Sequence, residues 1–185
     1  PKRFREAMDG AYRALQRLKE EGAIKAIGVG LNDPGYVVNF LKEGDFDCFL
    51  MAGRYSLLEQ PALAEVLPLA AKKGAGVMLG GVYNSGILVT GPIDGAKYNY
   101  LPAPPDIIDK VRRIDAVCQS HGVPLATAAL HFCLGHPAVS SLVLGAVTPG
   151  EIKQNRAAIV ADVPASLWSD LKNEGLLDPA APAPS

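Results

Sequence analysis

Short apolar segments alternate with helical segments along this chain, and this alternation constrains its fold more than any other feature. Strands that are almost entirely apolar and alternate with helices are typical of a parallel sheet covered on both faces, built from βαβ units. The predicted strands are residues 23–30, 46–53, 74–81 and 141–144. The predicted helices are residues 3–21, 34–41, 61–73, 106–121, 125–136, 148–159 and 166–175.

Two α/β architectures fit this pattern: a doubly wound open sheet and a (β/α)8 barrel. A (β/α)8 barrel typically takes ~250 residues, whereas this chain has 185 residues and four predicted strands. If the (β/α)8 architecture is the correct one, we therefore expect residues 1–176 to form half of a barrel. Residues 177–185 are rich in Pro and Ala, and we expect them to be a disordered tail that does not pack.

Composition argues against several classes of partner. The formal net charge of -1 gives no basic surface for nucleic acid or an anionic membrane. No apolar run approaches the ~18 residues that a membrane span needs. Three cysteines without CxxC spacing indicate reduced thiols and a cytoplasmic protein, and the histidines share no helical face, so we expect no metal site. The chain begins with Pro1, so we expect it to belong to a longer polypeptide.

The segment SLVLGAVTPGEIKQN, residues 141–155, joins the last predicted strand to a helix start. Thr148 is a suitable N-cap, Pro149 suits the first turn, and Glu151 favours the positive end of the helix dipole. Such a junction can hold a phosphate on free backbone N–H groups. An ordinary strand-to-helix turn is the alternative interpretation.

Four segments together resemble the aldo-keto reductase family: EEGAIKAIGVGLND, AGRYSLLEQ, LGGVYNSGILVTGPIDGAKYNY and HGVPLATAALHFCLGHPAVSSLVLGAVTPGEIKQN. They are most similar to the subgroup of D-threo-aldose 1-dehydrogenase, L-fucose dehydrogenase and pyridoxal 4-dehydrogenase. The resemblance covers residues from about 3 to 175 and implies that the strands are the fifth to eighth of a (β/α)8 barrel, its C-terminal half. The family's catalytic Asp, Tyr, Lys and His lie on earlier strands, so no catalytic residue is assigned here.

The same resemblance implies a nicotinamide cofactor bound at the carboxyl ends of these strands. Where the family places a Ser-Asn pair directly after Ile-Gly-Val, this chain has Gly30 and Leu31, and Asn32 could make the contact from one position further on. The family's glutamine on the next strand is replaced by Ala52, and its stacking tyrosine by Gly80. The nicotinamide pocket is therefore rebuilt in this chain. The candidate cofactor-binding residues are Asn32, Gly81, Tyr83, Ser85, Gly86, Leu88, Gly145, Ala146, Thr148, Glu151, Gln154 and Asn155.

Arg54 and Tyr55 are candidates for filling the rebuilt pocket on the substrate side, with a surface arginine beside a core tyrosine as the alternative. The connection from Val82 to Pro105 is long and has no predicted elements of its own, which is typical of a functional loop. We expect it to cover the cofactor and to contribute substrate contacts from Lys97, Tyr98 or Tyr100.

The implied activity is oxidation of the anomeric hydroxyl of an aldose, or of the pyridoxal hemiacetal, to a lactone. A non-catalytic dinucleotide-binding module is the alternative for this chain alone. We expect NAD to be preferred over NADP, because Gly145 and Glu151 stand where NADP-preferring members often carry Lys and Arg. Lys153 could reach the 2′-phosphate of NADP from the next helical turn, which leaves use of both cofactors possible. The expected partners are the small substrate and the N-terminal half of the barrel, in the same or another chain.

Overall fold

Four parallel strands form the central sheet of the computed structural model, which describes residues 2–184. The strands lie side by side in chain order, and every neighbouring pair is parallel. The predicted α/β fold with a four-stranded parallel sheet is confirmed. The strands are β1 (Gly28–Gly30), β2 (Cys48–Ala52), β3 (Gly76–Gly80) and, fourth in the sheet, β6 (Val139–Val143).

The helices follow the predicted order, and the first predicted helix contains a stretch of wider, π-helical turns. Residues 2–20 are continuously helical but include a π-helical stretch, Ala7–Tyr12, between α1 (Lys2–Glu6) and α2 (Arg13–Glu20). A short antiparallel hairpin, β4 (Lys97–Tyr98) and β5 (Leu101–Pro102), lies outside the main sheet. The other helices are α3 (Pro34–Glu43), α4 (Val66–Lys73), α5 (Ile87–Thr90), α6 (Pro105–Ser120), α7 (Leu125–Leu134), α8 (Pro149–Ile159) and α9 (Ala165–Asn173).

The first strand is shorter than predicted because the preceding residues complete the helix cap. Gly22 has a φ of 75°, and the N–H groups of Ala23 and Ile24 both donate to Leu18 O. A left-handed glycine after the last helical turn is a common way to satisfy the final carbonyls. Ladder pairing with β2 therefore begins only at Gly28.

Helices cover one face of the sheet and leave the other face open, so the expectation of two covered faces is wrong for the described residues. Phe49 and Leu79 are fully buried against the helices. Alternate positions point to the opposite face, where Leu50 is 39% exposed and Val143 is 50% exposed. The open face is therefore partly apolar.

Both outer strands border an apolar groove. Among residues 2–184, neither β1 nor β6 has a second neighbouring strand. The groove beside β1 has a volume of about 780 Å³ and is lined by Arg3, Phe4, Val29, Gly30, Leu31, Tyr36 and Phe40. The groove beside β6 has a volume of about 370 Å³ and is lined by Leu142, Leu144, Ala146, Ile152, Asn155, Arg156, Ile159 and Val160.

The C-terminal segment packs on the helical layer, so the expectation of a disordered tail is wrong for residues 177–184. Leu177 and Ala181 are buried. The ammonium group of Lys172 donates to Pro179 O at 3.0 Å and to Ala181 O at 2.7 Å. Pro184 lies against Gly135 so closely that an added Cβ there would be 2.6 Å from its Cγ. Composition alone did not reveal these contacts.

Asp47 connects the first helix to the start of β1 and gives the fold a pH dependence. Its carboxylate accepts from Lys19 Nζ at 2.7 Å and from Ile27 N at 2.7 Å. The hydrogen bond from Lys19, followed by that from the Ile27 N–H, lowers the pKa of Asp47 below its ordinary value. The stabilisation is therefore present above the unfolded-state pKa and is lost as the pH falls through the folded-state pKa.

We expect Asp47→Asn to destabilise the protein at neutral pH and to have a smaller effect in acid. The loss should be below about 1 kcal/mol, because more than a third of each side chain in the Lys19 pair is exposed to solvent. Urea unfolding at neutral and acidic pH measures the difference. An equal destabilisation at both pH values would contradict this assignment.

Candidate functional site

Side-chain and backbone contacts join the carboxyl ends of β1, β2 and β3. Asn32 Oδ1 accepts from Ala52 N at 2.8 Å, and Arg54 Nε donates to Asn32 O at 2.8 Å. Gly53 N donates to Gly80 O at 3.0 Å. These contacts lie beyond the regular ladder and fix Asn32 and Arg54 at the edge where parallel α/β sheets bind ligands.

A small polar cavity, with a volume of about 160 Å³, opens at this edge. It brings together five residues predicted from the sequence, Asn32, Arg54, Gly81, Ser85 and Tyr100, with others that were not assigned to the cofactor or substrate. The salt bridges within residues 2–184 do not include Arg54, whose guanidinium donates to the carbonyl oxygens of Asn32 and Gly53. The lining residues are Asn32, Ala52, Gly53, Arg54, Gly81, Asn84, Ser85, Asn99 and Tyr100.

The long connection after β3 lies over this edge and has elements of its own, contrary to the sequence prediction. It begins with a 3-10 turn, Asn84–Gly86, continues into α5, and later forms the β4–β5 hairpin. The backbone N–H of Tyr100 donates to Ser85 Oγ at 3.0 Å and so links the hairpin tip to the 3-10 turn. These elements are too short for hydrophobic periodicity to reveal them.

Glu59 connects both parts of this loop to the segment after β2. Its Oε1 accepts from Asn84 Nδ2 at 3.0 Å, and its Oε2 accepts from Tyr98 OH at 2.7 Å. Burial, together with the hydrogen bond to Glu59, raises the pKa of Tyr98 to about 12. Neither Glu59 nor Asn84 is among the site residues predicted from the sequence. The Asn-Ser-Gly turn signal could have indicated Asn84, but no local pattern marks Glu59.

Two hydrogen bonds in opposite directions cap the start of α8 after β6. Thr148 Oγ1 accepts from Glu151 N at 3.2 Å, while Glu151 Oε2 accepts from Val147 N at 2.8 Å. The predicted N-cap role of Thr148 is therefore confirmed. Gly145 has no atom within 4 Å of an added Cβ position, so a ligand has room to approach the backbone there.

Tyr83 and Asn155 join the connection after β3 to helix α8. The Tyr83 hydroxyl donates to Asn155 Oδ1 at 2.9 Å. Burial raises the pKa of Tyr83 to about 12, so the hydroxyl stays a donor at neutral pH. Gln154 is exposed on the same helix, and Ala146 and Asn155 line the groove beside β6. Predicted cofactor residues from two separate segments thus come into contact.

Tyr55 does not lie at the site, so its predicted substrate role is wrong, whereas Leu88 is bonded to Tyr83 and turns its side chain into the core. Tyr55 is fully buried and stacks on Phe132 with ring centroids 4.9 Å apart, so the alternative of a core tyrosine is correct. The Leu88 side chain is also fully buried, and its N–H donates to Tyr83 O. Tyr55 follows the end of β2, where the alternation that predicts orientation no longer applies, and Leu88 lies within α5.

The histidines have structural partners in separate places. His121 Nε2 lies 2.8 Å from Asp170 Oδ2, His131 Nε2 lies 3.0 Å from Ala158 O, and His136 Nδ1 accepts from Ala138 N. Within residues 2–184, no three His, Cys, Asp or Glu side chains are grouped so as to hold a metal ion. The same residues contain no helix long and apolar enough to cross a membrane.

Comparison with known proteins identifies the family. The model of the aldo/keto reductase family matches residues 3–173. This chain belongs to the aldo/keto reductase family. It is 42% identical to pyridoxal 4-dehydrogenase of Microbacterium luteolum over 91% of the chain, and 38% identical to D-threo-aldose 1-dehydrogenase of a Pseudomonas species over 92% of it. The subgroup indicated by the sequence motifs is therefore confirmed.

These matches cover 49% and 52% of the relatives, so the chain spans about half the length of the curated aldo/keto reductases it matches. The fold is also that of a solved aldo-keto reductase, AKR11C1 from Bacillus halodurans in its holo form. The TM-score is 0.73 at 24% identity, covering 92% of this chain and 56% of that one. This likeness favours the barrel over the doubly wound sheet.

Proposed function

We propose that this chain forms the cofactor-binding, C-terminal half of a nicotinamide-dependent aldo/keto reductase barrel. The observation that carries the proposal is the Tyr83–Asn155 hydrogen bond, which joins the connection after β3 to α8 beside the open backbone at Gly145. Because predicted cofactor residues from both segments meet there, a dinucleotide can extend from the cavity at Arg54 to the start of α8.

The residues present fit such a cofactor. Gly145 and Ala146 are exposed and carry little bulk, so they allow close approach to the last strand. Ser85 and Gly86 lie in the turn that would follow the pyrophosphate, and the amides of Gln154 and Asn155 suit the donor and acceptor edge of adenine. The bound nicotinamide would supply the hydride acceptor.

The reaction we propose is oxidation of the anomeric hydroxyl of an aldose, or of the pyridoxal hemiacetal, to a lactone. Its support is the activity for which the two relatives are named, a D-threo-aldose 1-dehydrogenase and a pyridoxal 4-dehydrogenase. In this chain, Arg54 would orient a substrate oxygen, because two carbonyl oxygens, Asn32 O and Gly53 O, hold its guanidinium at the cavity.

The open face and the two edge grooves fit the remaining half of the barrel. Eight parallel strands close a (β/α)8 barrel, and the described residues supply four in consecutive order. The four missing strands would pair with β1 and β6 and cover the partly exposed Leu50 and Val143. We propose that a segment homologous to the relatives' N-terminal half, in the same chain or another, occupies this surface and carries the base that accepts the hydroxyl proton.

The test is NAD⁺ reduction by the polypeptide that combines this chain with that N-terminal half, using D-threo-aldoses and pyridoxal as substrates. We expect NADH to form with at least one of them, and Arg54→Ala to lower kcat/KM. Arg112→Ala is the matched control, because Arg112 is exposed on α6 and pairs with Asp109. Cofactor binding without turnover of any substrate would favour the non-catalytic dinucleotide-binding module instead.

A further inference from the structure

Two turns beside the cavity have unusual backbone conformations. Asn84 and Ser85 have φ values of 47° and 61°, and Asn99 and Tyr100 have φ values of 49° and 66°. Among residues 2–184, these four are the only residues other than glycine with positive φ. Because L side chains disfavour this region, such conformations persist where neighbouring contacts hold them, often at functional sites.

A single carboxylate contacts the first turn and the residue directly before the second turn. Glu59 accepts from the side chain of Asn84, which belongs to the first turn, and from the hydroxyl of Tyr98, which directly precedes the second turn. The Tyr100–Ser85 hydrogen bond then joins the two turns to each other. The three contacts form a closed network beside the cavity, which residues of both turns line.

The segment that carries Glu59 is itself fixed. Ser56 N donates to Glu59 O at 2.8 Å, and Glu59 N donates to Ser56 Oγ at 3.2 Å. Gln60 Nε2 donates to Ser56 O at 2.7 Å, and Lys110 Nζ donates to Leu58 O at 2.6 Å. The Glu59 carboxylate therefore extends from a hydrogen-bonded turn and can hold the connection after β3 in place.

The contact with Glu59 also sets the orientation of the Asn84 amide. An ionised carboxylate only accepts hydrogen bonds, so the amide must turn its NH₂ group toward Glu59 and its carbonyl oxygen away. Asn84 is 5% exposed, and its Oδ1 has no hydrogen-bond partner among the described residues. A buried acceptor without a partner is unfavourable, and a ligand donor can supply one.

We propose that Glu59 is the positioning residue of this cavity: it holds both strained turns and orients Asn84 so that Oδ1 accepts from an N–H or O–H group of the ligand. Ligands with a carboxamide or a hydroxyl group have the required chemistry. The role of Glu59 in ordering the loop is independent of the proposed function, and only the assignment of the ligand to the oxidoreductase cofactor or substrate depends on it.

The first experiment compares hydrogen exchange of the full chain with that of Glu59→Gln. We expect the backbone amides of residues 84–102 to exchange at least about tenfold faster in the variant, because bonds to a charged acceptor are lost. Tyr98→Phe keeps the ring and releases only the hairpin, so it should affect residues 97–102 more than residues 84–86. Glu65→Gln, which loses an exposed pair with Lys42, is the matched control and should change neither.

The second experiment measures NAD⁺ and pyridoxal binding by calorimetry for the same proteins. We expect Glu59→Gln to weaken binding of one probe about tenfold without a matching loss of thermal stability, a split that a purely structural role would not give. Unchanged exchange in residues 84–102 in both Glu59→Gln and Tyr98→Phe would overturn the proposal. If neither probe binds the unmutated protein but exchange responds as expected, loop ordering by Glu59 stands, while the acceptor role of Asn84 and the proposed function fail for these ligands.

Discussion

Deletion of residues 177–185 is expected to lower the free energy of unfolding by about 2–5 kcal/mol, the range found when a buried leucine is truncated. The deletion removes Leu177, which is 4% exposed, together with the buried Ala181. It also leaves the Lys172 ammonium without its two carbonyl acceptors. Urea unfolding followed by circular dichroism measures the change.

Two point substitutions separate packing from chain length in this test. Leu177→Ala should account for a large part of the loss, because it removes the buried side chain and keeps the rest of the segment. Val160→Ala also shortens an apolar side chain, but Val160 is 74% exposed, so its effect should be within about 0.5 kcal/mol. A truncated protein with an unchanged denaturant midpoint would show that the segment does not pack.

Glu151→Arg is expected to shift cofactor preference from NAD toward NADP by about fivefold or more. At an effective dielectric near 20, two charges ~4 Å apart interact by about 4 kcal/mol, and solvent screening reduces this value. A quarter of this energy, about 1 kcal/mol, corresponds to about a fivefold change in affinity. The measurement compares the dissociation constants of NAD⁺ and NADP⁺ for each protein.

The hydrogen bond of Glu151 at the start of α8 complicates this substitution and also suggests its control. Glu151 Oε2 accepts from Val147 N, so arginine also removes a cap contact, and losses of a capping side chain are typically ~1 kcal/mol. Glu151→Gln keeps an acceptor oxygen for the cap but removes the charge. Glu151→Gln should reduce the preference for NAD over NADP with little change in the free energy of unfolding. Tighter NADP⁺ than NAD⁺ binding by the unmutated protein would contradict the charge argument.

Local patterns predicted the parts of this fold that local chemistry determines. Apolar runs located the four strands, and the Thr148 cap followed from residue types at fixed spacing within one helical turn. In contrast, the burial of Leu177 depends on Lys172 and on packing against the helical layer, and no periodic pattern records such contacts. The orientation of Tyr55 could not be predicted either, because Tyr55 follows the end of β2 and strand alternation no longer applies there.

The residues of the candidate site were likewise predictable only where a local feature of the sequence marked them. Family motifs and glycines indicated Gly81, Ser85 and Gly145, because a close approach to backbone requires small residues. Glu59 contributes through partners that are distant in sequence, Asn84 and Tyr98, so its position in the chain carries no signal of its role. Residues that act by holding a loop in place become visible only when the loop is folded.

The connection between β3 and α6 also affects how readily this protein can change over evolution. Both turns at the cavity belong to this one surface segment, whereas the sheet register is set by strand pairs outside it. Closing a flexible loop becomes costlier only slowly with length, by about 0.6 kcal/mol for each doubling. Insertions or deletions here can therefore reshape the cavity without altering strand pairing, so the set of ligands that fits the cavity can change through a single segment.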